Sequence, residues 1–286
     1  MKLEKECIDC IRTQAARVSE IVSVHPAQKE QIRQVAENEI AKFSHTTTPP
    51  HNATPMYEAI ARVLATDDIY ECIKAKSSSK ARGFESLCRH RIRKSKRPLF
   101  TAAKIAVAGN VIDLASEVQF DLKAELDKVL KTPFAIDDFE ALTQKLGTTK
   151  KLAYLADNAG EEVFDKLFIL EIKAHFPDLE VFYFVRGKAI INDVTYDEAK
   201  ASGLDKVAML INSGVPTPGL AVELMNAKAK ALFESCECVI AKGMGNYECL
   251  SETPIYPVFH LLKVKCQVVA RALDRTIGDI VCKQGS

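Results

Sequence analysis

The segment LAYLADNAGE, residues 152–161, decides the fold, because a run of five apolar residues leads directly into Asp157 and Asn158. Three later runs have the same character: VFYFV at 181–185, VAMLI at 207–211 and CVIA at 238–241. Short runs rich in Val, Ile, Tyr and Phe are typical of strands that are buried on both faces. Amphipathic stretches separate the runs, so strand alternates with helix, which predicts a mainly parallel sheet covered by helices.

The region before the predicted sheet is expected to be helical. Apolar residues in 1–97 recur at steps of three and four, as in Ile8, Ile11 and Ala15, without any alternating stretch. Breaks are expected at Pro26 and across SHTTTPPHNATP, residues 44–55, where turn-forming residues cluster. These patterns predict a helical N-terminal region.

The α/β region is expected to begin near Pro98 with one more helical block, which extends to about Leu130. Gly109 and Asn110 are expected to interrupt this block, because glycine and asparagine commonly end a helix. The chain is therefore predicted to be an α/β protein, with a helical region at 1–97 and an α/β catalytic region at 98–286.

Composition limits the possible functions. The chain has 286 residues, 47% hydrophobic and 27% charged, which excludes a disordered or fibrous protein. Lys and Arg number 39 and Asp and Glu 38, so a net charge of +1 gives no overall attraction to nucleic acid or an anionic membrane. The start, MKLEKECIDC, has no apolar signal segment, and no run approaches the roughly 20 apolar residues that cross a bilayer. We expect a soluble, cytoplasmic protein with neither kind of partner, and nothing in the pattern defines its oligomeric state.

Polar residues follow each of the four predicted strands. They are Asp157, Asn158, Gly160 and Glu161 after the first; Arg186, Lys188 and Asp193 after the second; Asn212 to Gly214 after the third; and Lys242, Gly243, Gly245, Asn246 and Glu248 after the fourth. Ligands of open α/β sheets bind outside the carboxyl ends of the strands, so these residues are expected to form one site.

The residue types at these strand ends predict a metal beside an anion. Asp157, Asn158 and Asp193 offer hard oxygen donors, which suit Mg²⁺, Mn²⁺ or a similar divalent ion. Arg186, Lys188 and Lys242 are expected to leave the neighbourhood positive, and the glycine N–H groups could add donors for a phosphate. Taken singly, each residue has an ordinary explanation, since Asp-Asn before a helix is a common N-cap.

Other motifs carry less weight. Cys7 and Cys10 form a single CxxC, which packing explains by default, although a metal or redox role stays open. Nine cysteines, an odd number, do not form a secreted disulfide framework and are expected to be mostly reduced. The basic segment 80–97 is expected to be a solvated helix face, since it lacks the interleaved aromatics that stack on bases.

Six motifs in the same order along the chain are similar to those of the damage-control phosphatase family, formerly known as domain of unknown function 89. They are CIDC at 7–10, GNVID at 109–113, DNAGE at 157–161, INDVT at 191–195, KGMGNYE at 242–248 and LKVKC at 262–266. Together they span nearly the whole chain, and the CxxC places it nearest the short prokaryotic branch of that family.

The resemblance implies a helical region joined to a Rossmann-like α/β/α region. It also implies a metal-dependent phosphoric monoester hydrolase, which uses Mg, Mn, Co or Ni and acts in metabolite repair on small phosphorylated metabolites such as sugar phosphates. Asp157, Asn158 and Asp193 match the family's metal ligands, and Lys242 matches a lysine on the phosphate side. The expected substrate-binding residues are Asn110, Asp113, Arg186, Asn246 and Glu248.

The mechanism expected from these residues is hydrolysis of a phosphomonoester. Lys242 and Arg186 would neutralise charge on the phosphoryl oxygens, while Asp193 or Glu161 would orient the attacking water. Whether Asp157 is a ligand or a covalent nucleophile stays open at this point, because the two roles use the same side chain.

The chain departs from the family pattern in its helical region. The family usually reads Asp-Pro-Tyr followed by a lysine and an asparagine, whereas this chain has Asp68-Ile69-Tyr70, Lys74 and Ser78. The departure leaves open what the helical region contributes to the pocket.

Two rival functions stay open. One is a carboxyl methyltransferase that uses S-adenosylmethionine, although no glycine-rich first turn supports it. The other is a non-enzymatic metal or redox module built on Cys7 and Cys10.

Overall fold

The computed structural model describes residues 1–22, 25–111, 122–252 and 257–285. The helices in these ranges are α1 (Lys5–Ile21), α2 (Pro26–Ile40), α3 (Pro49–Leu64), α4 (Glu71–Lys94), α5 (Pro98–Val111), α6 (Leu122–Lys131), α7 (Phe139–Leu146), α8 (Glu161–His175), α9 (Tyr196–Ala201), α10 (Ala227–Glu234), α11 (Gly243–Leu250) and α12 (Gln267–Leu273). The strands are β1 (Ile136–Asp137), β2 (Lys151–Leu155), β3 (Glu180–Val185), β4 (Met209–Asn212), β5 (Cys238–Lys242), β6 (Val258–Lys263) and β7 (Ile280–Gln284).

The strands form one sheet in the order β1-β7-β6-β5-β2-β3-β4. Every described pair is parallel except β6 with β7. Tyr154 at the centre of β2 lies opposite Tyr183 of β3 on one side and Ile240 of β5 on the other. The carboxyl ends of β2, β3, β5 and β6 therefore meet at one edge, and the predicted mainly parallel sheet is confirmed.

Side chains alternate between the two faces of the sheet, and helices cover both. Tyr154 and Ile240 belong to a buried cluster that includes side chains of α5 and α8, such as Ala106 and Phe168. Phe184 belongs to the cluster on the opposite face, where α10 packs. The result is the expected α/β/α arrangement of three layers.

The apolar runs located four strands and missed three. β2, β3 and β5 match their runs within one residue, whereas β4 begins at Met209, two residues later than expected. β6 and β7 were not predicted, because His260, Lys263 and Lys283 interrupt their apolar pattern. The short β1 carries almost no periodic signal.

The described helices of residues 1–97 share their apolar contacts with the sheet. Ile11 of α1 and Ile60 of α3 share a cluster with Leu262 of β6 and Val281 of β7. Ala81 of α4 belongs to the cluster on the other face of the sheet. Among the helices described, none combines the length and apolar character that spanning a bilayer requires.

The expected break at 44–55 is wrong in its second half, since α3 begins at Pro49. Thr48 is the N-cap, and its Oγ1 accepts a hydrogen bond from the N–H of His51 at 3.4 Å. Two prolines fit the first turn of a helix, because the N–H groups that they lack would have no partner there. Pro55 lies inside the helix.

The expected interruption at Gly109 and Asn110 is also wrong, because α5 continues to Val111. Gly109 has a packing role instead. A Cβ at this position would lie 2.9 Å from Phe164 Cδ2 and 3.2 Å from Glu161 Cγ, so the glycine lets α5 approach α8 closely.

Candidate functional site

A cavity of about 440 Å³ opens at the carboxyl edge of the sheet. The segments that follow β2, β3, β5 and β6 line one side, and α1 and α3 line the other. Asp157, Asn158 and Asp193 lie together in its wall. The cavity is thus formed jointly by the sheet and by the helical region.

The chain after β2 and the chain after β3 are joined by backbone hydrogen bonds. The N–H of Val194 donates to the carbonyl of Asp157 at 2.9 Å, and the N–H of Ala159 donates to the carbonyl of Asn192 at 2.8 Å. Asn158 and Asp193 form an isolated antiparallel bridge. These bonds bring the three residues proposed as metal ligands to the same side of the sheet.

Gly243 makes room for the carboxylate of Asp157. Its φ is +75°, and a Cβ there would lie 1.9 Å from Asp157 Oδ2. No side chain fits so short a gap, and the left-handed backbone also favours glycine. The first residue of α11 is therefore fixed by the position of Asp157.

The three cations expected to face a phosphate are paired with carboxylates. Arg186 Nε donates to Asp193 Oδ2 at 2.7 Å, with both side chains buried. Lys188 pairs with Glu58 on the surface. The expected surplus of positive charge therefore does not come from these residues.

Lys242 is fully buried beneath the cavity. Its Nζ donates to Asp165 Oδ1 at 2.8 Å and to Glu161 Oε2 at 3.1 Å. Burial alone would lower the pKa of Lys242 and is the largest single effect. The charges and hydrogen bonds of Asp165 and Glu161 together outweigh it, so the pKa lies above its usual value. Lys242 is thus a permanent cation held by two acids of α8.

The buried charges of the site do not balance. Four carboxylates and two cations are each at most 7% exposed: Asp157, Glu161, Asp165, Asp193, Arg186 and Lys242. Their formal charge is −2, which is costly in a buried cluster unless a cation compensates it. A single divalent ion would do so.

The pKa of Asp157 indicates the same imbalance. Burial raises this pKa well above its usual value, and the negative charges of Glu161 and Asp193 raise it further, while Lys265 and Arg186 oppose them. Two carboxylates and one amide oxygen are donors that Mg²⁺ or Mn²⁺ accepts. The residues present therefore fit a divalent cation in both charge and chemistry.

Asn246 and Glu248 have different positions. Asn246 is buried, and its Nδ2 donates to the carbonyl oxygens of Ala156 and Lys242 at 2.9 and 2.7 Å, so it ties β2 to α11. Glu248 lines the cavity, and burial raises its pKa to about 7.

Asn110 lies in α5 but its side chain is outside the described part of the chain, and Asp113 is outside the described residues.

The end of β4 does not line this cavity, in contrast to the expectation that four predicted strand ends would supply it. The N–H of Gly214 donates to Asn212 Oδ1 at 2.9 Å, and the N–H of Gly160 donates to Glu162. Those two donors are engaged within the protein. The segment after β6 takes the place of β4, since Lys265 and Cys266 line the cavity.

Sequence reasoning missed Lys265 and Asp165. Lys265 is an exposed cation that lines the cavity and forms no ion pair with any described residue. It lies in the LKVKC motif, to which the sequence alone assigns no role. Asp165 was missed although it stands four residues after Glu161, a spacing that puts both carboxylates on one face of α8.

The helical region contributes Cys7, Cys10 and Tyr70 to the cavity wall. Burial raises the pKa of Cys7 to about 11, so its thiol is protonated at neutral pH. All nine cysteines are free, and the described residues contain no group of three or more His, Cys, Asp or Glu side chains arranged to hold a metal. The CxxC thus lies at the same cavity but does not by itself form a metal site.

The segment in which the chain departs from the family pattern, residues 68–78, joins the two parts of the chain. Lys74 Nζ lies 2.6 Å from both Asp68 Oδ2 and Glu198 Oε1. Ser78 Oγ donates to Glu162 Oε1 at 2.8 Å. The contacts of Lys74 with Glu198 and of Ser78 with Glu162 connect α4 to the α/β region.

Comparisons with known proteins show the family of the chain. Residues 3–281 match the model of the damage-control phosphatase ARMT1-like domain. A damage-control phosphatase of Pyrococcus horikoshii is 32% identical, over 99% of this chain and 98% of its own length. One from Archaeoglobus fulgidus is 29% identical, over 99% of both chains.

The fold also matches a solved structure. The crystal structure of a DUF89 family protein from Pyrococcus horikoshii superposes with a TM-score of 0.92 at 30% sequence identity, and the match covers both chains completely. The chain therefore belongs to the damage-control phosphatase ARMT1-like family.

Proposed function

We propose that this protein is a divalent-metal-dependent phosphatase that hydrolyses small phosphorylated metabolites, such as sugar phosphates or related phosphomonoesters. The observation that carries the proposal is the buried charge of −2 around Asp157, Asn158 and Asp193 in a chain of the damage-control phosphatase family. A divalent ion supplies Lewis acidity and lowers the pKa of a water molecule when it is bound.

Asp157, Asn158 and Asp193 would hold the ion, and Lys265 would face the phosphate. Lys265 suits that role because it lines the cavity, its charge acts on Asp157, and it forms no ion pair with a described residue. Nη1 of Arg186 is buried without a hydrogen-bond partner among the described residues, so it is available as a further hydrogen-bond donor. Arg186 also orients Asp193 through the bond at 2.7 Å.

Glu161 is the weaker candidate for orienting the attacking water. Its Oε1 accepts from Asn158 Nδ2 at 3.0 Å, and its Oε2 accepts from Lys242 at 3.1 Å. Both oxygens are engaged below the cavity. Asp193 lines the cavity and Glu161 does not, so we give the orientation of water to Asp193, with Glu161 supporting the ligands.

The test is hydrolysis of p-nitrophenyl phosphate by the purified full-length protein. Activity is expected to disappear with a chelator and to return with Mn²⁺, Co²⁺, Ni²⁺ or Mg²⁺. Equal rates with and without metal would exclude the proposed mechanism.

Asp193→Asn is the matching variant, because its amide still offers Arg186 an acceptor, whereas alanine would leave a buried charge unpaired. The variant is expected to fold and to lose activity and Mn²⁺ binding together. Asp205→Ala, which removes an exposed carboxylate that does not line the cavity, serves as the control and is expected to keep both. Wild-type activity in Asp193→Asn would remove Asp193 from the site.

A further inference from the structure

The side-chain amide of Asn158 is held in one orientation. Its Nδ2 donates to Asp157 Oδ2 at 2.9 Å and to Glu161 Oε1 at 3.0 Å, so both of its hydrogens are used by carboxylates. The reversed amide would put its oxygen against two carboxylate oxygens. The amide oxygen of Asn158 therefore faces away from these acids, and Asn158 itself lines the cavity.

Glu161 is fixed in turn by the buried Lys242. The ammonium of Lys242 lies between Glu161 Oε2, at 3.1 Å, and Asp165 Oδ1, at 2.8 Å. Charge-assisted hydrogen bonds of this kind are stronger than neutral ones and define the geometry more closely. A shift of Lys242 would release Glu161 and, with it, the amide of Asn158.

Asp165 is the far end of this chain of contacts. It is 0% exposed and does not line the cavity. Tyr154 Oη donates to its Oδ1 at 2.7 Å and Tyr183 Oη donates to its Oδ2 at 2.9 Å. These tyrosines belong to β2 and β3, so Asp165 anchors the network to the two adjacent strands that lead to the proposed ligands.

Stability alone does not explain this network. Well-packed apolar side chains in place of a buried ion pair often stabilise a protein at least as well. The network does supply one specific thing, a connection from the rigid sheet to the orientation of Asn158.

We propose that Asp165 is a positioning residue for the metal site, acting through Lys242 and Glu161 to hold the amide oxygen of Asn158 toward the cavity. The inference rests on the proposed function. Removal of a residue that orients metal ligands through hydrogen bonds typically lowers metal affinity by about 10- to 100-fold.

The experiment measures the dissociation constant of Mn²⁺ for the full-length protein at pH 8, from the electron paramagnetic resonance signal of free Mn²⁺. Asp165→Asn keeps the shape of the side chain and removes its charge. We expect its dissociation constant to rise at least about tenfold. At saturating Mn²⁺ the KM for p-nitrophenyl phosphate is expected to stay within about twofold of wild type, because Asp165 does not reach the substrate.

Glu162→Gln is the matched control. Glu162 is a buried carboxylate on the same helix, but it bonds to Ser78 and to the N–H of Gly160 rather than to Lys242. An unchanged affinity in this variant with a weakened affinity in Asp165→Asn supports the proposal. Equal losses in both, or none in Asp165→Asn, would overturn it.

Tyr183→Phe is the arm that changes no charge. It removes one donor from Asp165, so a positioning role predicts a severalfold rise in the Mn²⁺ dissociation constant, while an effect of charge alone predicts none. If Asp165→Asn does not unfold cooperatively, and is therefore not properly folded, Tyr183→Phe takes its place as the test of the proposal. Wild-type protein that binds no Mn²⁺ would refute the proposed function, whereas wild-type binding with insensitive variants would refute only the role of Asp165.

Discussion

Replacement of Gly243 by alanine tests the geometry around Asp157 with a single methyl group. The added Cβ would lie 1.9 Å from Asp157 Oδ2 and 2.2 Å from its Cγ. Non-bonded contacts of this kind are essentially never closer than about 3 Å, so the carboxylate or the start of α11 must move by about 1 Å. A displacement of that size in a catalytic group can cost about 100-fold in rate.

The substitution also has a backbone cost, which a second glycine measures separately. Gly203 has a φ of +79°, close to the +75° of Gly243, but a Cβ there would meet only Lys206 Cδ at 3.9 Å. A left-handed conformation costs a residue with a side chain about 1–2 kcal/mol. Gly203→Ala is therefore expected to lower the unfolding temperature by a few degrees, about 2–4 °C per kcal/mol in chains of this size, and to keep full activity.

The assay compares kcat/KM for p-nitrophenyl phosphate in saturating Mn²⁺ and the unfolding temperature of the two variants. Gly243→Ala is expected to lose about 100-fold in kcat/KM relative to Gly203→Ala. A Gly243→Ala protein as active as Gly203→Ala would refute the view that Asp157 must occupy the space beside Gly243.

Three more predictions concern the cavity and the packing around it. Lys265→Met is expected to raise KM at least about tenfold, because it loses a charge-assisted hydrogen bond to the phosphate. Its free energy of unfolding is expected to stay within about 0.5 kcal/mol of wild type. An unchanged KM would exclude a contact between Lys265 and the phosphate. Burial raises the pKa of Glu162 from 4.5 to about 7, so its contribution to stability is complete below pH 4.5 and falls by up to about 3 kcal/mol as the pH rises to 7. Urea titrations across that range are expected to show a decline that is smaller in Glu162→Gln than in wild type by up to about 3 kcal/mol, since other buried carboxylates still titrate in the variant. Parallel curves would contradict the contribution of Glu162. Gly109→Ala is expected to cost about 1–3 kcal/mol by overpacking against Phe164, whereas Gly83→Ala, with nothing within 4 Å, should be neutral or stabilising; equal effects of the two would contradict the packing role.

The parallel sheet could be predicted because β2, β3 and β5 are buried on both faces and therefore consist of unbroken apolar runs. The same rule fails for β7, which lies between β1 and β6 and ends in the partly exposed pair Lys283 and Gln284. Proline and glycine misled the prediction of α3 and α5, since each residue can serve a helix as well as end it. Tertiary packing decided between the two outcomes.

The candidate ligands could be located from the strand ends, but the roles of the cations could not. Sequence places Lys242 at the end of β5, where a phosphate would be bound. Only the fold shows that Glu161 and Asp165 engage its ammonium below the cavity. Lys265 was hidden because β6, the strand that precedes it, was not predicted. Pairing between charged side chains distant in sequence is set by the fold, and no local pattern records it.

The shared packing of α1 and α3 with the sheet has a consequence for how substrate preference could diverge among relatives. Ile11 and Ile60 are buried with Leu262, so the side of the cavity formed by these helices cannot be rebuilt without disturbing the hydrophobic interior. Cys10 and Arg17 line the same side but are exposed to solvent. Substitutions at such solvent-facing positions change the surface that a bound substrate contacts and have little effect on the free energy of unfolding. We therefore expect differences in selectivity among relatives to concentrate there.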